Sequence, residues 1–210
     1  MPPKARKSKP QFWKRQARIW HWISGAVCLT GMLLFAATGI TLNHAGQIEA
    51  DPQTRSLTFE LPETARSGLA RLAEDGTAEQ LPRDLAVLIR RELGVWPNRG
   101  TLEWSPVDVY VSLPRPGGDA WMSIDFDSGE VLYEETSRGA IALLNDLHKG
   151  RHTGTVWAWF LDIFSVATIL FCLTGLWLLQ IHAGKRAITW PLVAGGTALP
   201  VLLVILFVHV

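Results

Sequence analysis

Cysteine is scarce in this 210-residue chain, which has only Cys28 and Cys172. Both lie in long apolar runs, so a disulfide framework in the polar part of the chain is excluded. The motifs HExxH and CxxC are absent, and so are the glycine-rich fingerprints that hold dinucleotides or flavins. These absences give no support to a zinc enzyme or to a nicotinamide- or flavin-dependent one.

Charged side chains are missing from three long stretches of the sequence. Residues 19–43 and 187–210 contain no Asp, Glu, Lys or Arg, and residues 156–182 contain only Asp162. About 20 consecutive apolar residues suffice to cross the ~30 Å hydrocarbon core of a bilayer. The three stretches therefore predict three transmembrane helices, whereas residues 45–147, which carry most of the carboxylates, predict a soluble domain.

Basic residues are concentrated before the first apolar stretch, in a tail that we expect to be flexible and to meet anionic lipid headgroups. Positively charged flanks of a span stay in the cytoplasm. This predicts a membrane protein with a cytoplasmic N-terminus and residues 45–147 outside the cytoplasm; Lys185 and Arg186 agree with that topology. We expect no nucleic-acid partner, because the tail adjoins a span. Its basic residues are Lys4, Arg6, Lys7, Lys9, Lys14, Arg15 and Arg18.

These patterns predict an α-helical membrane protein with three transmembrane helices and a small α+β periplasmic insert between helices 1 and 2. The predicted segments are a basic cytoplasmic tail at 1–18, transmembrane helix 1 at 19–44, the periplasmic domain at 45–147, an outer histidine segment with transmembrane helix 2 at 148–182, and transmembrane helix 3 at 187–210.

Within the insert, the apolar residues of 81–93 recur at helical spacing, and Gly94 follows as a helix stop. Val107, Val109 and Val111 alternate with polar or small residues, which predicts a strand. Turn residues then lead to a second strand at 120–125 and a third at 131–133. A further strand at 56–61 and a helix at 62–72 are predicted upstream.

The six histidines are all absent from residues 45–147 and lie in or near the apolar stretches. Ionisable residues at a membrane are costly and are usually functional, and neutral imidazole is a common axial ligand of haem iron. Antiparallel packing of helices 1 and 2 would place His21 beside His182 on the cytoplasmic side. It would place His44 beside His148 or His152 on the outer side. The pattern predicts one or two haems b.

Other polar residues near the histidines have two interpretations each. Asp162 could orient a ligand histidine or hydrogen-bond to Trp or Thr in a neighbouring helix. Arg18 and Arg151 could pair with haem propionates or serve as flanking charges. His209 is expected to be a solvated side chain. A proton or metal-ion transporter fits less well, because only Asp162 approaches the middle of the bilayer.

Haem on both sides of the bilayer would form a path for electrons. The chain would then pass electrons from an unknown cytoplasmic donor, or from the quinone pool, to a periplasmic acceptor. The rival hypothesis is a non-enzymatic, membrane-anchored module that binds or regulates a periplasmic protein. That rival needs no histidines in the spans, and it predicts a colourless protein.

Three parts of the chain together resemble the PepSY-associated transmembrane proteins, over roughly residues 17–186. They are His21-Trp22 with Thr38–His44, Leu147–Arg151 with Asp162 and Leu173–Leu176, and Asp125–Val131. The resemblance implies that the protein lies in the bacterial inner membrane and that the insert, residues 45–147, is a periplasmic PepSY-like domain. Larger family members look like haem-b inner-membrane reductases, including ferric-siderophore reductases. The resemblance therefore implies an oxidoreductase or an electron-transfer subunit, with a ferric chelate as one candidate acceptor.

The lengths of the two histidine-bearing segments bear on which histidines pair. His21 and His44 are 23 positions apart, or ~35 Å of helix, whereas His182 lies ~45 Å from His152 and ~51 Å from His148 if all is helical. Length alone favours His152, but His148 begins the stretch that resembles the family, and Gly150 and Gly154 could interrupt the helix. The predicted haem ligands are the pairs His44–His148 and His21–His182, with His152 in reserve.

Overall fold

Three helices dominate the computed structural model, which describes residues 9–75 and 78–208. They are α1 (Lys9–Asn43), α5 (Gly154–His182) and α6 (Thr189–Phe207). All three are long and apolar enough to cross a membrane, so the three apolar helices predicted from the charge-free stretches are confirmed. The short helices and the strands between α1 and α5 form a small domain with an antiparallel sheet.

Helix α1 begins earlier than the sequence suggests. We predicted a flexible tail up to residue 18, but the helix already begins at Lys9. Pro10 stands in the first turn, where a missing N–H costs nothing, and residues 11–18 contain no helix breaker. Residues 9–18 of the predicted tail are therefore helical. Residues 1–8 of the predicted tail, and His209, lie outside the described residues.

The insert contains the predicted elements and extends them. Helix α3 (Arg83–Leu93) ends where Gly94, with φ 74°, donates its N–H to the carbonyl of Arg90, as the stop signal predicts. The strands predicted near 107–111, 120–125 and 131–133 are present, and so are the upstream strand and helix. The bounds are β1 Gln53–Glu60, α2 Glu63–Asp75, α3 Arg83–Leu93, β2 Thr101–Trp104, β3 Asp108–Ser112, β4 Gly118–Asp125 and β5 Glu130–Ser137.

The five strands form one antiparallel sheet in the order β1-β5-β4-β3-β2. In β4 the residues Gly118, Ala120, Met122 and Ile124 are buried while their neighbours are not, as expected of a sheet with one face on a core. That face packs against the apolar stripes of α2 and α3, including Leu69. The core of the domain is therefore built by alternate strand residues and two short helices.

A short helix, α4 (Gly139–Lys149), precedes α5 and carries His148. The sequence predicts residues 148–182 as one segment, but α4 ends at Gly150, with φ 66°, and α5 begins at Gly154, with φ 77°. The interruption expected at these two glycines is present. His152, between them, also has a positive φ of 57°.

The chain divides into two compact units, one comprising residues up to Leu34 together with those from Phe160, and the other comprising Phe35–Trp159. In the first unit, α1 and α5 contact each other through glycines on α1 and aromatic rings on α5. A Cβ placed on Gly25 would lie 3.0 Å from Phe171, and one on Gly31 would overlap the ring of Phe164. The residue numbers of these contacts rise along α1 and fall along α5, so the two segments run antiparallel.

Candidate functional site

A five-residue motif, Phe-x-x-Thr-Gly, occurs once in α1 and once in α5. The copies are Phe35–Gly39 and Phe171–Gly175. The segments that carry the family resemblance, Thr38–His44 and Leu173–Leu176, include the Thr-Gly pair of each copy but not its phenylalanine. In the structure each copy receives the ring of a histidine from another helix, and each contact lies within one of the two units. We call these the Phe171–Gly175 cradle and the Phe35–Gly39 cradle.

The Phe171–Gly175 cradle holds His21 of α1. The Nδ1 atom of His21 donates to the carbonyl of Phe171 at 3.1 Å and lies 3.2 Å from Oγ1 of Thr174. The imidazole stacks on the ring of Phe171, with centroids 4.4 Å apart and planes at 12°. A Cβ on Gly175 would lie 3.2 Å from Cε1 of His21, so glycine allows the ring to sit directly on the helix backbone.

The Phe35–Gly39 cradle holds His148 of α4 in the same manner. Nδ1 of His148 lies 2.6 Å from Oγ1 of Thr38, and its ring is 4.7 Å from that of Phe35 at 38°. A Cβ on Gly39 would lie 3.8 Å from Cε1 of His148, which is ordinary van der Waals contact. The main difference is that Nδ1 of His148 faces a hydroxyl, whereas Nδ1 of His21 faces a carbonyl as well.

Two buried polar residues close to His148 on α4, which the sequence analysis missed, bind this helix to the rest of its unit. Asn145 accepts a hydrogen bond from Oγ1 of Thr41 at 2.7 Å, and Asp146 accepts one from the main-chain N–H of Gly117 at 2.9 Å. Adjacent polar residues in an otherwise apolar helical pattern are the signal that could have indicated them, because buried polar groups need partners.

The other two predicted ligands, His44 and His182, are exposed. Nδ1 of His44 donates to the carbonyl of Ile40 at 3.0 Å, and Nδ1 of His182 donates to that of Leu178 at 2.8 Å. Both bonds are to the preceding turn of the histidine's own helix. Neither ring therefore depends on another helix for its orientation.

The structure does not bring the predicted pairs together. The register of α1 on α5 sets His21 level with Thr174, so His182 lies eight residues further along α5, about 12 Å away. His44 follows Thr38, the partner of His148, by six residues, or about 9 Å along α1. The pairs His21–His182 and His44–His148 stay predictions as haem ligands.

The remaining predicted residues lie on the surface of the chain. The side chains of Asp162, Arg18, Arg151 and His152 are all exposed. The carboxylate of Asp162 faces outward from α5. Its proposed role of orienting a histidine, and the pairing of Arg18 and Arg151 with propionates, stay predictions.

Within residues 9–75 and 78–208, no group of three or more His, Cys, Asp or Glu side chains could hold a metal ion. A haem needs fewer protein ligands than such a metal site, since its iron binds only one or two side chains. His21, His44 and His182 fit that need, because a carbonyl can only accept a hydrogen bond and so fixes the proton on Nδ1. The lone pair of each ring is then on Nε2.

Thr174 of the Phe171–Gly175 cradle also lines an open apolar groove of about 580 Å³ with Trp13, Trp20 and Trp177.

The Asp125–Val131 turn, which carries part of the family resemblance, has its own hydrogen-bond network. Oδ1 of Asp125 accepts bonds from the main-chain N–H and the hydroxyl of Ser128 and from the N–H of Asp127. These donors, Ser128 first, hold the pKa of Asp125 below its usual value. Gly129 follows with φ 74°. The turn joins β4 to β5, and Arg66 of α2 donates to its carbonyls at Asp127 and Ser128.

Fold and site together define a class of protein with three apolar helices, a small antiparallel-sheet domain after the first, and histidines held on helical Phe-x-x-Thr-Gly motifs. The chain belongs to the PepSY_TM-like family, whose sequence model matches residues 12–209. The predicted relationship to PepSY-associated transmembrane proteins is thereby confirmed, while the likeness to haem reductases stays a prediction. Neither the curated proteins nor the solved structures contain a match to the chain.

Proposed function

We propose that this chain is a haem-b-binding membrane protein that passes electrons across the bacterial inner membrane to a periplasmic acceptor. The observation that carries the proposal is the orientation of the histidines near the ends of the apolar helices. His21, His44 and His182 each donate Nδ1–H to a main-chain carbonyl. Ligand histidines in metalloproteins are oriented by this kind of bond, which leaves Nε2 for the metal.

Haem iron held by imidazole supplies reversible one-electron transfer when it is bound. The residues that would hold it are His21, His44, His148 and His182. The contribution of the chain itself is to orient these imidazoles through hydrogen bonds at Nδ1. Aromatic rings also pack on His21 and His148 at the two cradles. Arg18 and Arg151, both exposed, are available to carboxylates such as propionates.

The membrane topology of the proposal rests on charge. Seven basic residues precede Ile19, and cytoplasmic flanks carry such an excess. The N-terminus is then cytoplasmic, the sheet domain is periplasmic, and the donor is a cytoplasmic protein or the quinone pool. A phosphatase reporter fused after Leu61 is expected to be active, because it would lie outside the cytoplasm. A reporter at that position that works only in the cytoplasm would reverse the topology.

The haem is tested by an absorption spectrum of the full chain, produced with ample haem and purified in detergent. We expect a Soret band and, on reduction, the α band of a haem b, with one or two haems per chain by the pyridine haemochrome assay. A chain in which His21, His44, His148 and His182 are all replaced by Ala is expected to be colourless.

A colourless wild-type protein, folded by circular dichroism, would contradict the proposal. It would favour the rival function, a membrane-anchored PepSY module that binds or regulates a periplasmic protein. A Soret band that survives in the fourfold variant would show haem bound elsewhere, and it would contradict the proposed ligands.

A further inference from the structure

We infer that Thr38 is a positioning residue that fixes His148 in the tautomer with its proton on Nδ1. The geometry of the Phe35–Gly39 cradle carries this inference, since Nδ1 of His148 lies 2.6 Å from Oγ1 of Thr38. The inference rests on the proposed function only for the identity of what binds Nε2. The tautomer itself is a property of the protein without haem.

The direction of the bond follows from the number of hydrogens available. A threonine hydroxyl has one hydrogen and two lone pairs. Thr38 donates that hydrogen to the carbonyl of Phe35 at 3.2 Å, in the preceding turn of α1. Its oxygen can then only accept from His148, so Nδ1 must carry the proton. The lone pair that remains on the ring is on Nε2, as at His21.

The two cradles favour the same histidine tautomer, but they differ in the number of acceptors that Nδ1 faces. At the Phe171–Gly175 cradle, Thr174 likewise donates to its own helix, to the carbonyls of Leu170 at 2.7 Å and Phe171 at 3.0 Å. However, His21 also donates directly to the carbonyl of Phe171. His21 therefore keeps an acceptor when the threonine hydroxyl is removed, whereas Nδ1 of His148 faces the hydroxyl of Thr38.

The glycines of the two cradles also differ: the ring of His21 lies closer to Gly175 than the ring of His148 lies to Gly39. A methyl group at Gly175 would press on Cε1 of His21 at 3.2 Å, but one at Gly39 would meet His148 at 3.8 Å. The ring of His21 is thus sensitive to its glycine and the ring of His148 to its threonine. Such a double contrast would not arise from general destabilisation of the helices.

The test is nitrogen NMR of the full chain in detergent micelles, free of haem and labelled with ¹⁵N-histidine. His148→Gln and His21→Gln identify the resonances. In the wild-type protein we expect both residues to show an unprotonated, downfield Nε2 and a protonated Nδ1. Thr38→Val is expected to shift His148 toward the opposite tautomer, which histidine favours in water, and Thr38→Ser is expected to restore the wild-type pattern.

Four matched variants separate a positioning role of Thr38 from general destabilisation of the helices. Thr174→Val should leave the tautomer of His21 unchanged, because the carbonyl of Phe171 remains. Thr168→Val removes a hydroxyl that donates to the carbonyl of Phe164 at 2.9 Å, and it should leave both histidines unchanged. Gly175→Ala should move the resonances of His21 and Gly39→Ala should not move those of His148.

A protonated Nε2 on His148 in the wild-type protein would overturn the inference without any variant. An unchanged His148 in Thr38→Val would overturn it too. If the tautomers are as inferred but the protein binds no haem, the proposed function fails while the positioning role of Thr38 stands. Since the measurement needs no haem, the two failures are distinguishable.

Discussion

Asp146 accepts a hydrogen bond from the main-chain N–H of Gly117 at 2.9 Å, two residues before His148 on the same helix. Gly117 has a φ of 75°, and a Cβ there would lie 2.7 Å from Cβ of Leu143. The loop before β4 therefore approaches α4 more closely than any other residue type would allow. This contact ties the sheet domain to the helix that presents the histidine.

Replacing Asp146 by Ala is expected to destabilise the docking of α4 by about 1–3 kcal/mol, because the buried N–H of Gly117 loses its acceptor. Asp146 is 8% exposed, so water cannot readily replace the carboxylate. The measurement is hydrogen exchange of the Gly117 amide, which should become faster. Asp146→Asn keeps an oxygen in the same place and serves as the control; equal exchange in the Ala and Asn variants would contradict the assigned bond.

The contact between Gly31 and Phe164 predicts an unequal response of two glycines to the same change. Gly31→Ala is expected to be less stable than Gly195→Ala by about 1–3 kcal/mol, because the new methyl group overlaps the phenylalanine ring. At Gly195 of α6 no described atom beyond the adjoining turns of its own helix lies within 4 Å of the added carbon, so Ala there should gain helix propensity. Thermal unfolding in detergent measures the difference.

A double-mutant cycle checks that the ring is the cause. Phe164→Leu should cost less in the Gly31→Ala background than in the wild-type protein, since the smaller side chain relieves the overlap. Independent, additive effects of the two substitutions would show that Gly31 and Phe164 do not interact.

Most of the elements could be predicted from the sequence because their signals are local. The lack of charge marks α1, α5 and α6, the alternation of Val109 and Val111 marks β3, and Gly94 marks the end of α3. Helix α4 was not recognised as a separate element. Its buried residues, Asn145 and Asp146, are polar, and only tertiary partners make them suitable for burial.

The histidine contacts could not be predicted because they depend on the register of the helices. Sequence spacing gives the distance along a helix, but the fit of Gly25 against Phe171 and of Gly31 against Phe164 decides which residues are level. That register sets His21 level with Thr174 rather than with His182. Aligning the two apolar stretches would have revealed the repeated Phe-x-x-Thr-Gly motif, since it needs no structural knowledge.

The lowered pKa of Asp125 predicts how the β4–β5 turn responds to acid. A carboxylate whose pKa is lower in the folded state contributes stability above its unfolded pKa of about 3.9, and the contribution is lost as the pH falls through the folded value. The first cause of the shift is the N–H of Ser128. Protection of the Ser128 amide from exchange should therefore fall below about pH 4.

Asp125→Asn should give lower protection of Ser128 at neutral pH and remove this dependence on acid. Asp127→Asn is the control, because Asp127 takes part in the turn through its main-chain N–H, and it should retain the wild-type profile. An acid-dependent loss of protection in Asp125→Asn that matches the wild-type loss would exclude Asp125 as its source.

The choice between His148 and His152 as the outer ligand yields the last prediction, which rests on the proposed haem. His148 is partly buried, and its ring is held by Phe35 and Thr38, whereas His152 is exposed in the α4–α5 loop. Holding a ligand in place before binding avoids the entropy cost of ordering it. We therefore expect His148→Asn to lower the haem content of the purified protein and His152→Asn to leave it unchanged. Asn is the suitable replacement at both positions, because it tolerates the positive φ of residue 152. Loss of haem in His152→Asn but not in His148→Asn would transfer the outer ligand to His152, and it would leave the Phe35–Gly39 cradle with a structural role only.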